Sequence, residues 1–331
     1  MKAAYYRTTG PASVIEYGNL PDLPLGAGQV RVGVRASAVN PIDLYIRSGT
    51  VAMPLNDPQI PGSDLAGVVM ETGAGVKRLK VGDRVWGSNQ GLKGRQGTAC
   101  EFAVVDEEWL YLSPAGISDQ QMAALALTGI TAHLGLFHRG RLQAGESVYV
   151  SGGSGGVGTM VIQMAKAAGA RVATTAGSAE KMAICRELGA DLVMNYNTDE
   201  VLKGLKTFAP EGLDLWLETQ REPDFVNALP LMALNGRLLV MAGRTAVPVF
   251  PHLGAFYPRN LSILGFAMFN FLAEDQRRAA DEITRWVSTR QLRAIVGHSL
   301  PLAQTSAAHQ FLEEATLGQS RKLTGKVVLE I

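Results

Sequence analysis

Residues 147–177 read SVYVSGGSGGVGTMVIQMAKAAGARVATTAG. The run 147–153 is a short apolar strand of β type, 155–169 has the apolar spacing of a helix closing on Gly169, and 171–177 is strand-like again. Between the first strand and the helix, Gly153, Gly155 and Gly158 fit G-x-G-x-x-G. That pattern alone is a weak signal, and the strand–turn–helix–strand frame around it supplies the confirming context. Gly153 is expected to make the tight turn, Gly155 to let the backbone approach a pyrophosphate, and Gly158 to let helix and strand pack closely. The helix start, with Ser154, Gly156 and Val157 around it, would aim N–H groups and a positive dipole end at phosphate. The stretch reads as a dinucleotide site.

The choice of dinucleotide turns on the end of the second strand. A site for NAD places Asp or Glu about 20 residues on, where it accepts from the ribose hydroxyl. Here the strand ends Thr174-Thr175-Ala176-Gly177-Ser178, with no acid before Glu180. A carboxylate would repel a 2′-phosphate, so its absence, with Ser178 and Lys181 just beyond, favours NADPH. Lys181 reads equally well as a solvated helix residue. Tyr196, after the third strand, is placed to lie against the adenosine phosphate edge.

Working outward, strand-like and helical segments go on alternating: 191–196, a helix over 201–208, 213–219, a helical 224–236, then strands at 237–243 and 261–266. This rhythm predicts βαβ units and a parallel sheet. Upstream the texture differs. Short β-type runs at 29–40, 66–73, 82–87 and 99–105 are punctuated by Gly, Pro and Asp, and an apolar helical stretch follows at 121–140. Downstream come an amphipathic helix over 273–292, with Ile283, Trp286 and Val287 on one face, a strand near Val296, a helix over 303–316 and a closing strand at 325–331. After so long a detour the closing strand is expected to rejoin the β-rich part. The expected fold is thus α/β: a doubly wound parallel sheet of Rossmann type (123–267) plus a discontinuous β-rich domain (1–122 and 268–331).

Composition removes several function classes. Lys and Arg number 31 against 30 Asp and Glu, a net charge of +1 with no charged run, which speaks against nucleic acid and anionic membranes as partners. The longest nearly uncharged stretch, 110–137, is broken by Asp119, Pro and Gly, so no membrane span is expected. No signal-peptide pattern opens the chain, and a cytoplasmic protein is expected. Two cysteines, Cys100 and Cys185, cannot frame disulfides or a four-ligand structural zinc site. Glycine stands at 37 of 331 residues, about 11% against a usual 7%, which suggests tight turns and close approach of backbone to a ligand.

A second constellation lies upstream: Asn40-Pro41-Ile42-Asp43-Leu44-Tyr45-Ile46-Arg47-Ser48-Gly49, then Pro61-Gly62-Ser63-Asp64 with Ala66-Gly67, then Gly82-Asp83-Arg84-Val85. With Ser154-Gly155-Gly156-Val157-Gly158 and the closing Gly325-Lys326-Val327-Val328-Leu329, these motifs span nearly the whole chain. The sequence resembles the medium-chain dehydrogenase/reductase superfamily, and within it the zinc-independent quinone oxidoreductases, the zeta-crystallin-like group. The resemblance implies a GroES-like β domain and a Rossmann domain with the cofactor in the cleft between them. Zinc-dependent relatives place a catalytic Cys where this chain has Asn40, and Gly-His-Glu where it has Gly62-Ser63-Asp64. Zinc needs thiolate or imidazole at such positions, and neither the cysteines nor the five histidines show a metal-ligand spacing. No metal is expected, which disfavours alcohol oxidation and favours hydride transfer to an acceptor that is already electrophilic.

By the same resemblance Asn40 and Tyr45 would sit beside the nicotinamide, Thr131 near its ribose, and Gly243 and Arg244 along the cofactor's mid-section. Arg321 or Lys322 would supply a basic contact. The Tyr45 phenol either donates to an acceptor carbonyl or is an aromatic packed under the cofactor. Asp43 and Arg47, four apart, are expected to pair. Where many relatives have a pocket Tyr, this chain has Val51, so a more apolar pocket is expected. The loop 86–100, with Gly87, Gly91, Gly94 and Gly97, reads as a pocket rim and lid or as an inert surface loop. The expected function is an NADPH-dependent, metal-free reductase of a quinone or an α,β-unsaturated carbonyl compound, built as a homodimer through the apolar strand 261–269. An enoyl-thioester reductase and a non-catalytic NADPH-binding structural or regulatory protein are the alternatives.

Overall fold

The computed structural model describes residues 1–243, 246–316 and 323–331. Arg244, Arg321 and Lys322 lie outside the described residues. The first part of the chain forms β1 (Lys2–Tyr5), β2 (Glu16–Asn19), β3 (Gln29–Val39), α1 (Pro41–Arg47), β4 (Asp64–Thr72), β5 (Arg84–Gly87), β6 (Phe102–Asp106), β7 (Leu110–Leu112) and α2 (Asp119–His133). Then come β8 (Ser147–Val150), α3 (Gly156–Ala167), β9 (Arg171–Ala176), α4 (Ala179–Glu187), β10 (Leu192–Asn195), α5 (Val201–Phe208), β11 (Leu213–Glu218), α6 (Phe225–Ala228), β12 (Met232–Val240) and β13 (Ser262–Gly265). The chain closes with α7 (Ala273–Ser288), β14 (Val296–Pro301), α8 (Thr305–Thr316) and β15 (Lys326–Glu330). It divides into two compact units, one of Met1–Thr128 with Leu272–Ile331 and one of Gly129–Phe271.

In the first unit β3 organises the sheet. Its alternation of buried Val30, Val32 and Val34 with less buried neighbours is the pattern of a strand with one face on a core. β4 runs antiparallel along one side of it from Val30 to Ala38. On the other side β6 covers residues 29–33, and β15 covers Ala36–Val39. The closing strand therefore does rejoin the β-rich part. β14 extends the sheet as a parallel neighbour of β15. Burying each of these valines is worth about 1.5–3 kcal/mol before entropy is counted.

The second unit has six parallel strands in the order β10-β9-β8-β11-β12-β13. Numbered within the unit this is 3-2-1-4-5-6, the doubly wound order, whose direction reverses between β8 and β11. The segment expected to be helical over 224–236 is helical only through Ala228, with a single 3-10 turn at Leu229–Leu231; Met232 already belongs to β12. Pro230 in that turn lacks the N–H that would carry a helix on. β13 ends the sheet, paired to β12 on one side only. Among the described residues no helix is long and apolar enough to cross a membrane.

Candidate active site

Two groups of residues stand out, one in each unit. In the second unit the loop after β8 crosses the carboxyl ends of the strands where the order reverses. Gly152, with φ 66°, makes the left-handed turn that the sequence suggested for Gly153. Gly153 is needed for another reason: a Cβ there would fall 2.2 Å from Thr174 Oγ1, on the neighbouring strand β9. The loop is pinned to that strand by the Gly153 N–H, which donates to the Thr175 carbonyl at 2.9 Å. A Cβ on Gly158 would meet the Gly152 carbonyl at 2.4 Å, so Gly158 brings the helix against the glycine loop, where the sequence suggested a strand.

Gly155 differs from both. It is exposed, and a Cβ there would meet only the Gly152 carbonyl, at 3.3 Å. Gly155 is the N-cap of the 12-residue α3 and no side chain caps the helix. The backbone N–H groups of the first turn, at Gly156, Val157 and Gly158, thus begin a helix beside an exposed glycine, with Ser154 buried behind. This arrangement fits an anionic pyrophosphate.

The end of β9 gathers the residues expected at the adenosine side. Tyr196 is half-buried with its hydroxyl over Gly177, where a Cβ would stand 2.2 Å from the oxygen. Ser178 is the N-cap of α4 and accepts from the Lys181 N–H at 3.4 Å. Lys181 is half-buried on the first turn. Glu180, which the sequence placed beyond the strand, turns back: its carboxylate accepts a hydrogen bond from Ser178, which lowers its pKa. Gly243, with φ 85°, follows β12, and Thr131 is buried on α2.

In the first unit Asn40, Asp43, Ser63, Asp64, Ser88 and Lys326 form one buried polar cluster. Asn40 is the N-cap of α1: its N–H donates to Asp43 Oδ2 at 2.7 Å, and the Asp43 N–H donates to the Asn40 main-chain carbonyl at 3.0 Å. Asn40 Nδ2 donates to the Ala38 carbonyl at 3.2 Å and to Asp64 Oδ2 at 2.8 Å. Ser63 Oγ donates to Asp43 Oδ1 at 2.6 Å. Asp64 Oδ1 accepts from Ser88 Oγ at 2.7 Å and from the Leu127 N–H at 3.0 Å. The Lys326 ammonium donates to the Val39 carbonyl at 2.9 Å and to Asn40 Oδ1. Burial pushes the carboxyls of Asp43 and Asp64 up to about 6 and about 7, opposed by these hydrogen bonds and by Lys326. The same burial lowers the Lys326 pKa, and both aspartates oppose that shift.

A catalytic zinc does not fit this donor set. Asn40, Ser63 and Asp64 offer an amide, a hydroxyl and a carboxylate, without the nitrogen or sulfur ligands zinc prefers, and a cation of the chain's own already sits on Asn40. Among the described residues no three His, Cys, Asp or Glu side chains converge as a metal site.

Two expectations nearby need correction. Asp43 and Arg47 do not pair: Asp43 is occupied by Asn40 and Ser63, and buried Arg47 reaches Glu313 on α8 at 2.9 Å. The loop 86–100 is not an inert surface loop, since Trp86–Leu92 and Gly97–Cys100 are buried and only Lys93 and Gly94 are exposed. Gln96 braces it, accepting from the Ile60 N–H and donating to the Pro58 carbonyl, both at 2.8 Å. Asn40 is fully buried with its amide committed to protein partners, so Tyr45, half-buried on α1, is the more accessible of the two expected site residues.

From the sequence neither Gly152 nor Glu218 has a site role, and Lys326 is named only within the closing motif. Gly152 sits one place before the motif, and Glu218 and Lys326 act on residues far away in the chain.

A parallel sheet in this order, with a glycine cradle at its switch point, defines a dinucleotide-binding fold. Comparison with known proteins agrees. Residues 26–115 match the alcohol dehydrogenase GroES-like domain and residues 156–285 the zinc-binding dehydrogenase family. The quinone oxidoreductase of Rattus norvegicus is 33% identical over 302 residues, covering 91% of this chain and 88% of that protein. Among solved structures, an NAD-dependent alcohol dehydrogenase is 30% identical with a TM-score of 0.89, and a mycobacterial protein complexed with NADPH is 27% identical with a TM-score of 0.86, each over the full length of both chains. The chain belongs to the quinone oxidoreductase family of the medium-chain dehydrogenase/reductase superfamily.

Proposed function

We propose that this chain takes NADPH as hydride donor and reduces a quinone or an α,β-unsaturated carbonyl compound without the help of a metal. The observation that carries the reading is the cradle of Gly152 to Gly158, with Gly155 exposed at an uncapped helix start. When bound, the cofactor supplies the hydride, and the protein's part is binding and orientation. Gly153 to Gly158 hold the pyrophosphate. Ser178, Lys181 and Tyr196 face the adenosine phosphate, while Thr131 and Gly243 stand further along the cofactor. The Tyr45 phenol donates a hydrogen bond to the acceptor carbonyl.

The metal-free reading is supported by the Asn40 amide and the Ser63 hydroxyl at positions where zinc-dependent relatives place ligands, and by the Lys326 ammonium held against that amide. The quinone reading draws on the relatives' own names. Glu180 at Ser178 opposes a 2′-phosphate and Lys181 favours one, and their balance sets the preference between NADPH and NADH. A homodimer is proposed on the one-sided pairing of β13, since an unpaired strand edge invites association with another chain.

The test is NADPH consumption with a quinone and with an enone in parallel. Turnover with at least one is expected; tight NADPH binding with turnover of neither would refute a reductase.

A further inference from the structure

Lys326 opens β15, and the antiparallel register of β15 on β3 sets Val327 opposite Val39. That register delivers the Lys326 side chain to Asn40, 286 positions earlier in the chain. Lys326 is 5% exposed, and its ammonium is held by two carbonyl oxygens, those of Val39 and of the Asn40 side chain. A buried lysine is tolerated only where opposite charge and hydrogen bonds compensate for lost water. Asp43 and Asp64 supply that charge.

The consequence falls on Asn40. An amide can be turned end for end at little cost unless its neighbours tell oxygen from nitrogen. Here they do so on both sides: a cation faces Oδ1 and a carboxylate faces Nδ2. Asn40 is the cap from which α1 starts, and α1 carries Tyr45 one turn later.

We propose that Lys326 is a positioning residue, whose ammonium, held on the Asn40 side-chain oxygen while Asp64 holds the amide nitrogen, fixes the cap from which Tyr45 is carried. The link to Tyr45 rests on the proposed reductase reading; the charge lock itself does not. Removing the ammonium leaves two buried carboxylates without their cation, which is worse than removing both signs together. Coupling of this kind is what a double-mutant cycle isolates.

The experiment compares Lys326→Met, Asp64→Asn and the double variant at pH 8, first by urea unfolding without cofactor. Each single variant is expected to lower the midpoint, with the double variant recovering part of the loss. Additive losses overturn the lock. If Lys326→Met does not fold, Lys326→Gln, which keeps a donor, takes its place in the same cycle. Kinetics then read the link to Tyr45. In the lysine variant kcat with the accepted quinone or enone should fall tenfold or more, with the NADPH dissociation constant changed less than twofold. A loss shared equally between the two overturns the positioning role. If the wild-type protein reduces neither acceptor, the reductase reading fails, and the urea cycle still decides the lock.

Discussion

Ser151 Oγ donates to Glu218 Oε1 at 2.7 Å, joining the carboxyl ends of the parallel strands β8 and β11 across the point where the strand order reverses. The same carboxylate accepts from the Gln220 N–H at 2.8 Å and from the Trp216 indole at 3.2 Å. The Thr219 hydroxyl returns a bond to the Ser151 carbonyl at 2.7 Å. Ser151 leads directly into Gly152, so this knot sets the start of the glycine cradle. Glu218→Ala leaves three donors without their acceptor and is expected to cost about 3 kcal/mol of stability, since each dry donor costs about 1–3 kcal/mol and water relieves some. Urea unfolding measures it, with several-fold weaker NADPH binding alongside; a variant as stable as the parent would remove the knot from the account.

Gly155 and Gly158 should respond to alanine in opposite ways. At Gly158 the new methyl meets backbone at 2.4 Å and 2.8 Å, so the loop must shift and both melting temperature and NADPH affinity should drop. At Gly155 it meets only the Gly152 carbonyl at 3.3 Å, so stability should hold while affinity falls tenfold or more. Calorimetry with and without NADPH separates the two cases. Unchanged affinity in Gly155→Ala would place the pyrophosphate elsewhere.

Lys181→Glu should weaken NADPH at least tenfold and NADH less than twofold. Glu180→Gln should shift preference the other way, towards NADPH, because it removes the carboxylate held at Ser178. Fluorescence titration with both cofactors is the measurement. Equal changes for NADPH and NADH would show that neither side chain faces a 2′-phosphate.

Buried groups in the first unit give opposite slopes of stability with pH. The folded Asp64 carboxyl, at about 7 against an ordinary 3.8, keeps its proton longer than the unfolded one. Its contribution is therefore present below about pH 4 and is lost as pH rises to about 7. Asp43, at about 6, acts in the same sense. His309, buried on α8, is pushed down to about 3 by burial and by the Arg47 charge. It stays neutral while the unfolded chain takes up a proton, so stability is lost as pH falls from about 6.5 to 3. Asp64→Asn should flatten the decline between pH 4 and 7, and His309→Gln the loss on the acid side, in urea midpoints taken at each pH. A steeper decline in Asp64→Asn would contradict the raised carboxyl.

What the sequence determined by itself was local and periodic. The alternation from residue 147 onward, its glycines and its apolar strands are enough to specify a parallel sheet and the loop that meets a phosphate, because strand, turn and helix there are built from neighbours in the chain. Pro230 was the local signal for the end of α6, hidden by apolar residues that suit a helix or a strand equally well. Only the tertiary structure decided the rest. Gly153 is required by Thr174 on the next strand, while the left-handed turn itself falls on Gly152. Arg47 abandons Asp43 because α8, more than 250 residues on, brings Glu313 to it. Lys326 meets Asn40 because β15 pairs with the far half of β3. Register between distant strands is set by the packing of both faces at once, and no stretch of sequence contains that information alone.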